Sequence, residues 1–200
     1  MAKTLEHRTG SGVVRKDGLV GEGVFLVIGV QGAGKTTVAD LLARPFDRGV
    51  HVRGGQFYRW ARTGWIHHDG PRVVEARRHL DLHYRLSAMV ADEYCAQGFT
   101  TVVPDSIYGD DAADWLRRVM ARPRHLVVLR PRPDVVRRRA EQRWRDSGKV
   151  AYREGGDTVD SLDAALAATP RVGLWLDTSD QTPEVSVAEI VRRRSEAVVD

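Results

Sequence analysis

Two hundred residues, 42% of them hydrophobic, suffice for one ordinary domain with a core of its own and are too apolar for wholesale disorder. The formal net charge of +4 comes almost wholly from arginine, spread over several segments beside many Asp and Glu, so it does not mark a nucleic-acid surface. The one cysteine, Cys95, excludes a disulfide framework, and the longest apolar run, Val24 to Val30, is far short of the ~20 residues that span a bilayer. The polar start, Met1 to Gly12, lacks the apolar stretch of a signal peptide, which makes a cytoplasmic location the expectation.

Residues 1–22 read as an arm or a small hairpin around Asp17-Gly18, and residues 23–200 as the main domain. Val24-Phe25-Leu26-Val27-Ile28 is apolar on both faces and β-branched, the signature of a buried strand. A helix is expected from Lys35 to about Ala43, then a short strand at Val50 to Val52. Pro71 opens a long helical pattern carried by Val73, Val74, Ala76, Leu80, Tyr84, Met89 and Val90, and Gly98 stops it. Thr100 to Val103 is the third strand, Asp110 caps a helix to Met120, and Leu126 to Leu129 is the fourth strand. Pro133 suits the first turn of a helix to about Arg145. A mobile lid is expected over residues 142–156. Thr158 or Asp160 begins a helix that ends near Pro170, Val172 to Leu176 is the fifth strand, and Thr182-Pro183-Glu184 starts the last helix. Strands alternating with helices predict an α/β fold with a five-stranded parallel sheet, and ligands of such sheets sit at the carboxyl ends of the strands.

Gly29-Val30-Gln31-Gly32-Ala33-Gly34-Lys35-Thr36 fits G-x-x-x-x-G-K-[ST] without a mismatch, and it lies between a predicted strand and a predicted helix as the motif requires. Glycines let the backbone curl so that successive N–H groups meet phosphate oxygens, and the helix N-terminus adds positive potential. Gly29, Gln31, Gly32, Ala33, Gly34, Lys35, Thr36 and Thr37 are therefore the candidate nucleotide-binding residues. Lys35 is expected to reach the β and γ phosphates, the Thr36 hydroxyl to ligate Mg²⁺, and Thr37 to bond the α phosphate. ATP is the expected nucleotide, with GTP open.

The sequence has no asparagine, so the N-K-x-D segment with which GTPases read their base cannot exist here. Five strands leave no room for a second ATPase subdomain, and a compact kinase remains. On these motifs the chain resembles the P-loop kinases of small metabolites and antibiotics, such as the gluconate-kinase-like and chloramphenicol-phosphotransferase-like enzymes. Beyond the phosphate turn the resemblance rests on Gly54-Gly55-Gln56-Phe57-Tyr58-Arg59, on Val102-Val103-Pro104-Asp105, and on Leu129-Arg130-Pro131-Arg132-Pro133-Asp134-Val135 with Arg139 and Arg143 after it. It implies the strand order 2-3-1-4-5, a lid, and phosphoryl transfer to an alcohol group, with a nucleoside triphosphate and a small-molecule acceptor as partners of a monomer or homodimer.

The family usually carries an aspartate after the second strand to take the proton of the acceptor hydroxyl, and this chain has Gly55 there. Asp105 is then the first candidate for both the Mg²⁺ ligand and the base, with Asp69 and Glu75 as alternatives. Arg143, and then Arg139, are the candidates for neutralising charge on the transferred group. Arg130 is a weaker candidate beside the nucleotide base. Gln56, Tyr58, Arg59, Arg53 and His67 are the candidate acceptor contacts, in a stretch made aromatic by Phe57, Trp60 and Trp65. His79 and His83 read as a polar helix face. Two other readings stay open: a nucleotide or nucleotide-sugar kinase of the zeta-toxin kind, gripping acceptor phosphate with Arg53, Arg59 and Arg77, and a nucleotide-gated binding protein without catalysis.

Overall fold

Five consecutive apolar residues that cannot face water on either side make β1 (Val24–Ile28) the centre of the sheet, and all five are buried. The computed structural model describes residues 22–66, 73–148, 151–152 and 156–200, so the expected N-terminal hairpin, Asp69 and His67 lie outside the described residues. The strands run in the order β2-β3-β1-β4-β5, all parallel, with β2 at Gly49–His51, β3 at Thr100–Asp105, β4 at Arg124–Leu129 and β5 at Leu174–Leu176. The implied strand order holds. Helices α1 (Lys35–Ala43), α2 (Gln56–Trp60), α3 (Val73–Ala96), α4 (Asp110–Arg118), α5 (Pro133–Ser147), α6 (Val159–Ala167) and α7 (Pro183–Arg192) make the connections.

Sequence and structure differ at several boundaries, each for a local reason. β3 runs to Asp105 because Val27 and Ile28 of β1 pair with Pro104 and Asp105, so the ladder continues past the last apolar residue. Asp110 is in the first turn of α4 and Gly109 is its cap. Thr158 caps α6, with its side chain accepting from Ser161 N and Ser161 Oγ accepting from Thr158 N. The short helix α2 was not expected; with only five residues it shows no periodicity to read. Helix α5 continues to Ser147 and so takes in the first residues assigned to the lid.

The long helix α3 corrects the expected apolar stripe. Val73, Val74 and Met89 are exposed, while Ala76, His83, Tyr84, Ser87, Ala88 and Ala91 are buried. Two polar residues thus sit on the inward face. Ser87 Oγ accepts from Trp115 Nε1 of α4 at 2.8 Å, which ties α3 to α4 through a satisfied buried pair. His83 points to the end of β3.

Candidate active site

The site lies at the carboxyl ends of β1 and β3. Register places Ile28 opposite Asp105 on one side and Val128 on the other, so the phosphate turn that begins at Gly29 emerges beside Asp105. Gly29 has φ +156°, and a Cβ there would lie 2.5 Å from Leu129 O, so only glycine lets the chain leave the sheet at this point. Val30 and Ala33 turn inward and are buried, while Gln31, Gly34, Thr36 and Thr37 face outward. Ala33 N donates to Val30 O at 3.0 Å, and the N–H groups of Gly32, Gly34, Lys35 and Thr36 make no bond to another backbone group among the described residues. They are the orphan donors of a helix N-terminus aimed out of the turn, a ready anion cradle.

Lys35 folds back over this cradle, donating to Gly29 O at 2.7 Å and to Val30 O at 3.0 Å. Burial pushes its pKa down to about 8; the negative charge of Asp105 opposes that shift and the positive charge of Arg143 adds to it. Lys35, Asp105 and Arg143 therefore lie within electrostatic reach of one another, although they come from α1, β3 and α5. Tyr108 donates to Gly29 O at 3.3 Å, and Tyr152 donates to Gln31 O, so two tyrosines hold carbonyls of the turn from outside it. Burial raises the pKa of both, that of Tyr152 to about 12, which keeps their hydroxyls as donors. Tyr152 lies within the expected lid and brings it onto the phosphate turn; residues 149–150 and 153–155 lie outside the described residues.

Asp105 is held at both oxygens. Ser106 N donates to Oδ1 at 2.8 Å and His83 Nε2 donates to Oδ2 at 2.7 Å. Gly54 presses against the same carboxylate, since a Cβ at that position would lie 2.3 Å from Asp105 Oδ2. The family's missing carboxylate therefore has no substitute at 54. Gly55 is different: a Cβ there meets only the Tyr58 ring, at 3.3 to 3.6 Å. Glu75, an alternative base, is exposed in the first turn of α3.

On the acceptor side Phe57 is buried, Tyr58 and Trp65 are half-buried, and Trp60 stands 68% exposed. Tyr58 lies 6.1 Å from Trp65 and 5.8 Å from His83, and Trp65 stacks on His79 at 5.0 Å. Phe57 packs into the core, whereas Trp60 stands outside it. Gln56 is half-buried, and Arg53, Arg59 and Arg62 are exposed with no carboxylate partner among the described residues. Arg59 sits 5.9 Å from the centroid of the Tyr58 ring.

Two expectations are corrected here. His79 and His83 do not form a polar surface: His79 Nδ1 accepts from Ile66 N at 3.0 Å, and His83 is buried on Asp105. Arg77 is not free to grip an acceptor, because it makes a two-pronged pair with Asp111 at 2.7 and 2.6 Å. Arg130 is paired in the same way with Asp163, at 2.9 Å for both bonds. Arg139 donates to Thr178 O at 2.9 Å, whereas Arg143, one turn on, is exposed and without a carboxylate partner among the described residues. Among the described residues there is no cluster of three or more His, Cys, Asp or Glu suited to a metal, and no helix is long and apolar enough to cross a membrane.

Solved structures share this fold. A sugar kinase from Janibacter sp. HTCC2649 is 19% identical with a TM-score of 0.60, over 88% of this chain and 96% of that one. The APS kinase CysC of Mycobacterium tuberculosis, solved with AMPPNP and APS, is 14% identical with a TM-score of 0.61, over 88% and 99%. The tunicamycin resistance protein of Deinococcus radiodurans is 16% identical with a TM-score of 0.60, over 90% and 99%. Identities this low speak for a common fold. No curated protein sequence matches the chain. The profile of the AAA domain family matches residues 24–168, from the first strand through α6, and with its intact phosphate turn and its 2-3-1-4-5 sheet the chain belongs to that family of P-loop proteins.

Proposed function

We propose that the protein is an ATP-dependent kinase that transfers the γ-phosphoryl group to a hydroxyl of a small molecule. The observation that carries this reading is the convergence of Lys35 and Asp105, from separate elements, at the mouth of the phosphate turn. ATP phosphates would lie on the N–H groups of Gly29 to Thr37, and Lys35 would exchange its two carbonyl bonds for the β and γ phosphates. The acceptor oxygen forms its bond to the γ phosphorus as the bond from that phosphorus to the β–γ bridging oxygen breaks. ADP leaves, and the hydroxyl proton passes to Asp105. Arg143, with Arg139 behind it, would meet the charge on the transferred group as α5 closes.

The Thr36 hydroxyl and the Asp105 carboxylate are hard oxygen donors on either side of the cradle and fit Mg²⁺, which supplies charge neutralisation on the phosphates when bound. The acceptor would lie over Tyr58 and Trp65, with Gln56 as a polar contact and Arg53, Arg59 and Arg62 around it. Those arginines, exposed and without a carboxylate partner among the described residues, favour an acceptor that carries negative charge as well as a flat or apolar part. They give the nucleotide or nucleotide-sugar reading its support. The neighbouring kinases include one solved with APS, a precedent for such an acceptor on this fold. GTP in place of ATP, the compartment and the oligomeric state stay open within the reading.

The deciding experiment is thermal melting with Mg²⁺–ATP across a panel of hydroxyl compounds that includes nucleotides, sugars and antibiotics, followed by ADP release. The native state must be stabilised by whatever binds it. ATP stabilisation that deepens with one acceptor class, with ADP formed only then, supports the kinase. ATP stabilisation with no ADP from any compound favours the nucleotide-gated binder.

A further inference from the structure

The proton-accepting role of Asp105 in the kinase reading sets a geometric requirement that the rest of the molecule bears on. A carboxylate at a strand end has two side-chain torsions, and orienting a hydroxyl demands that both be fixed to a few tenths of an ångström. The bond from Ser106 N to Oδ1, at 2.8 Å, is local. The other restraint comes from α3, where His83 is only 3% exposed and donates to Oδ2 at 2.7 Å. Its ring is walled by Phe57 at 6.2 Å, Tyr58 at 5.8 Å and Tyr84 at 5.5 Å.

The second nitrogen, His83 Nδ1, is buried and has no hydrogen-bond partner among the described residues. That leaves the tautomer with its proton on Nε2, because a proton on Nδ1 would have no acceptor. A buried polar atom without a partner opposes folding, and an apolar side chain of similar volume would fill the same box without that penalty. Among the described residues the one hydrogen bond of the imidazole is to Asp105. Stability alone therefore does not call for histidine here, and the contact with the carboxylate does. Gly54 closes the opposite side, since even a methyl group there would meet Oδ2 at 2.3 Å.

We propose that His83 is the positioning residue of the phosphoryl-transfer centre: it clamps Asp105 between its Nε2–H and the bare backbone of Gly54, in place of restraint from the segment where the family usually carries its own carboxylate. This role rests on the kinase reading above. The test pair is His83→Gln and His83→Met, side chains of nearly equal length and volume of which only the first can donate to Asp105. Each is made in wild-type and Asp105→Asn backgrounds. The readout is ADP release from Mg²⁺–ATP with the hydroxyl compound that the melting panel selects, together with the melting temperature and its shift on adding Mg²⁺–ATP.

The expected result is that H83M lowers kcat about tenfold or more while KM for ATP moves less than about twofold. H83Q recovers most of kcat, and in the D105N background the two variants become equal. The imidazole Nε2–H resonance of wild-type protein, displaced by its bond to the carboxylate, returns toward the ordinary position in D105N. Equal kcat for H83M and wild type, or H83Q as slow as H83M in folded protein, overturns the role. An Nε2–H resonance indifferent to D105N overturns it even if both His83 variants fail to fold. Wild-type protein that binds Mg²⁺–ATP yet releases no ADP with any compound of the panel overturns the kinase reading, and the resonance then shows separately that the clamp itself is present.

Discussion

The two halves of the site are built from different materials. On the donor half the working groups are backbone: a turn forced by Gly29 against Leu129 O, and N–H groups left over at the start of α1. On the half proposed for the acceptor they are side chains gathered from far apart, with Arg53 and Tyr58 after β2, His83 on α3 and Asp105 on β3. A backbone site needs a short run of residues with particular torsions, so it can be encoded in consecutive letters. A side-chain site is an outcome of packing, and its members need no fixed spacing. The lysine joins the halves, since Lys35 belongs to the turn while the charge of Asp105, at the end of the neighbouring strand, partly offsets the cost of burying its ammonium.

This contrast can be broken most sharply at the junction. Lys35→Met should cut ADP release by about 10²–10³-fold, the magnitude expected when one pre-organised positive group is lost from a phosphoryl-transfer site. It should also shrink the Mg²⁺–ATP melting shift. An intact rate in K35M would disconnect the turn from the chemistry. Next in size is Gly54→Ala. The added methyl must displace Asp105, so the rate should fall by about tenfold or more with ATP binding kept, whereas Gly55→Ala should change it little. If G54A and G55A behave alike, the acceptor half is not organised around Asp105.

Smaller effects are expected at the arginines. Arg53→Gln, Arg59→Gln and Arg62→Gln each remove an exposed charge that has no carboxylate partner among the described residues, so folding should be almost untouched. For an anionic acceptor, KM should rise by about three- to thirtyfold, from the roughly 1–2 kcal/mol of a partly exposed charge-assisted bond. For a neutral acceptor it should stay level. Arg77→Gln is the contrasting control: its charge is spent on Asp111, so it should lower stability slightly and leave acceptor KM alone.

The same division explains what could be read from the sequence. The turn and the alternation of strands and helices were legible because glycine spacing, β-branched runs and helix caps are local signals, whereas the strand order came from the family resemblance. Asp105 was legible by position, as the carboxylate that ends a buried strand. His83 was not. Its neighbours Leu82 and Arg85 are exposed, and in the letters it looks like one more polar residue on a polar helix. The glycine pair at 54 and 55 gave no warning either, since it reads as a turn and forms one before α2. Arg77 erred in the opposite direction. Nothing in the sequence pairs it with Asp111, which lies 34 residues away.

The finest test concerns how the charge of Lys35 is tolerated in the empty turn. Burial holds its pKa at about 8 in the folded protein, below the ordinary 10.5, so between these values the unfolded chain binds more protons than the folded one. Stability rises with pH wherever that is so. The cost of burying the ammonium is therefore fully felt below about pH 8 and fades as pH climbs toward 10.5. The melting temperature of wild type relative to K35M should accordingly increase across that window by a few degrees, since a kcal/mol moves a domain of this size by about 2–4 °C. Mg²⁺–ATP should remove the trend, because phosphates hold the lysine charged. A difference that stays flat with pH would mean that the ammonium is solvated in the empty turn, and that the junction between the two halves forms only when nucleotide arrives.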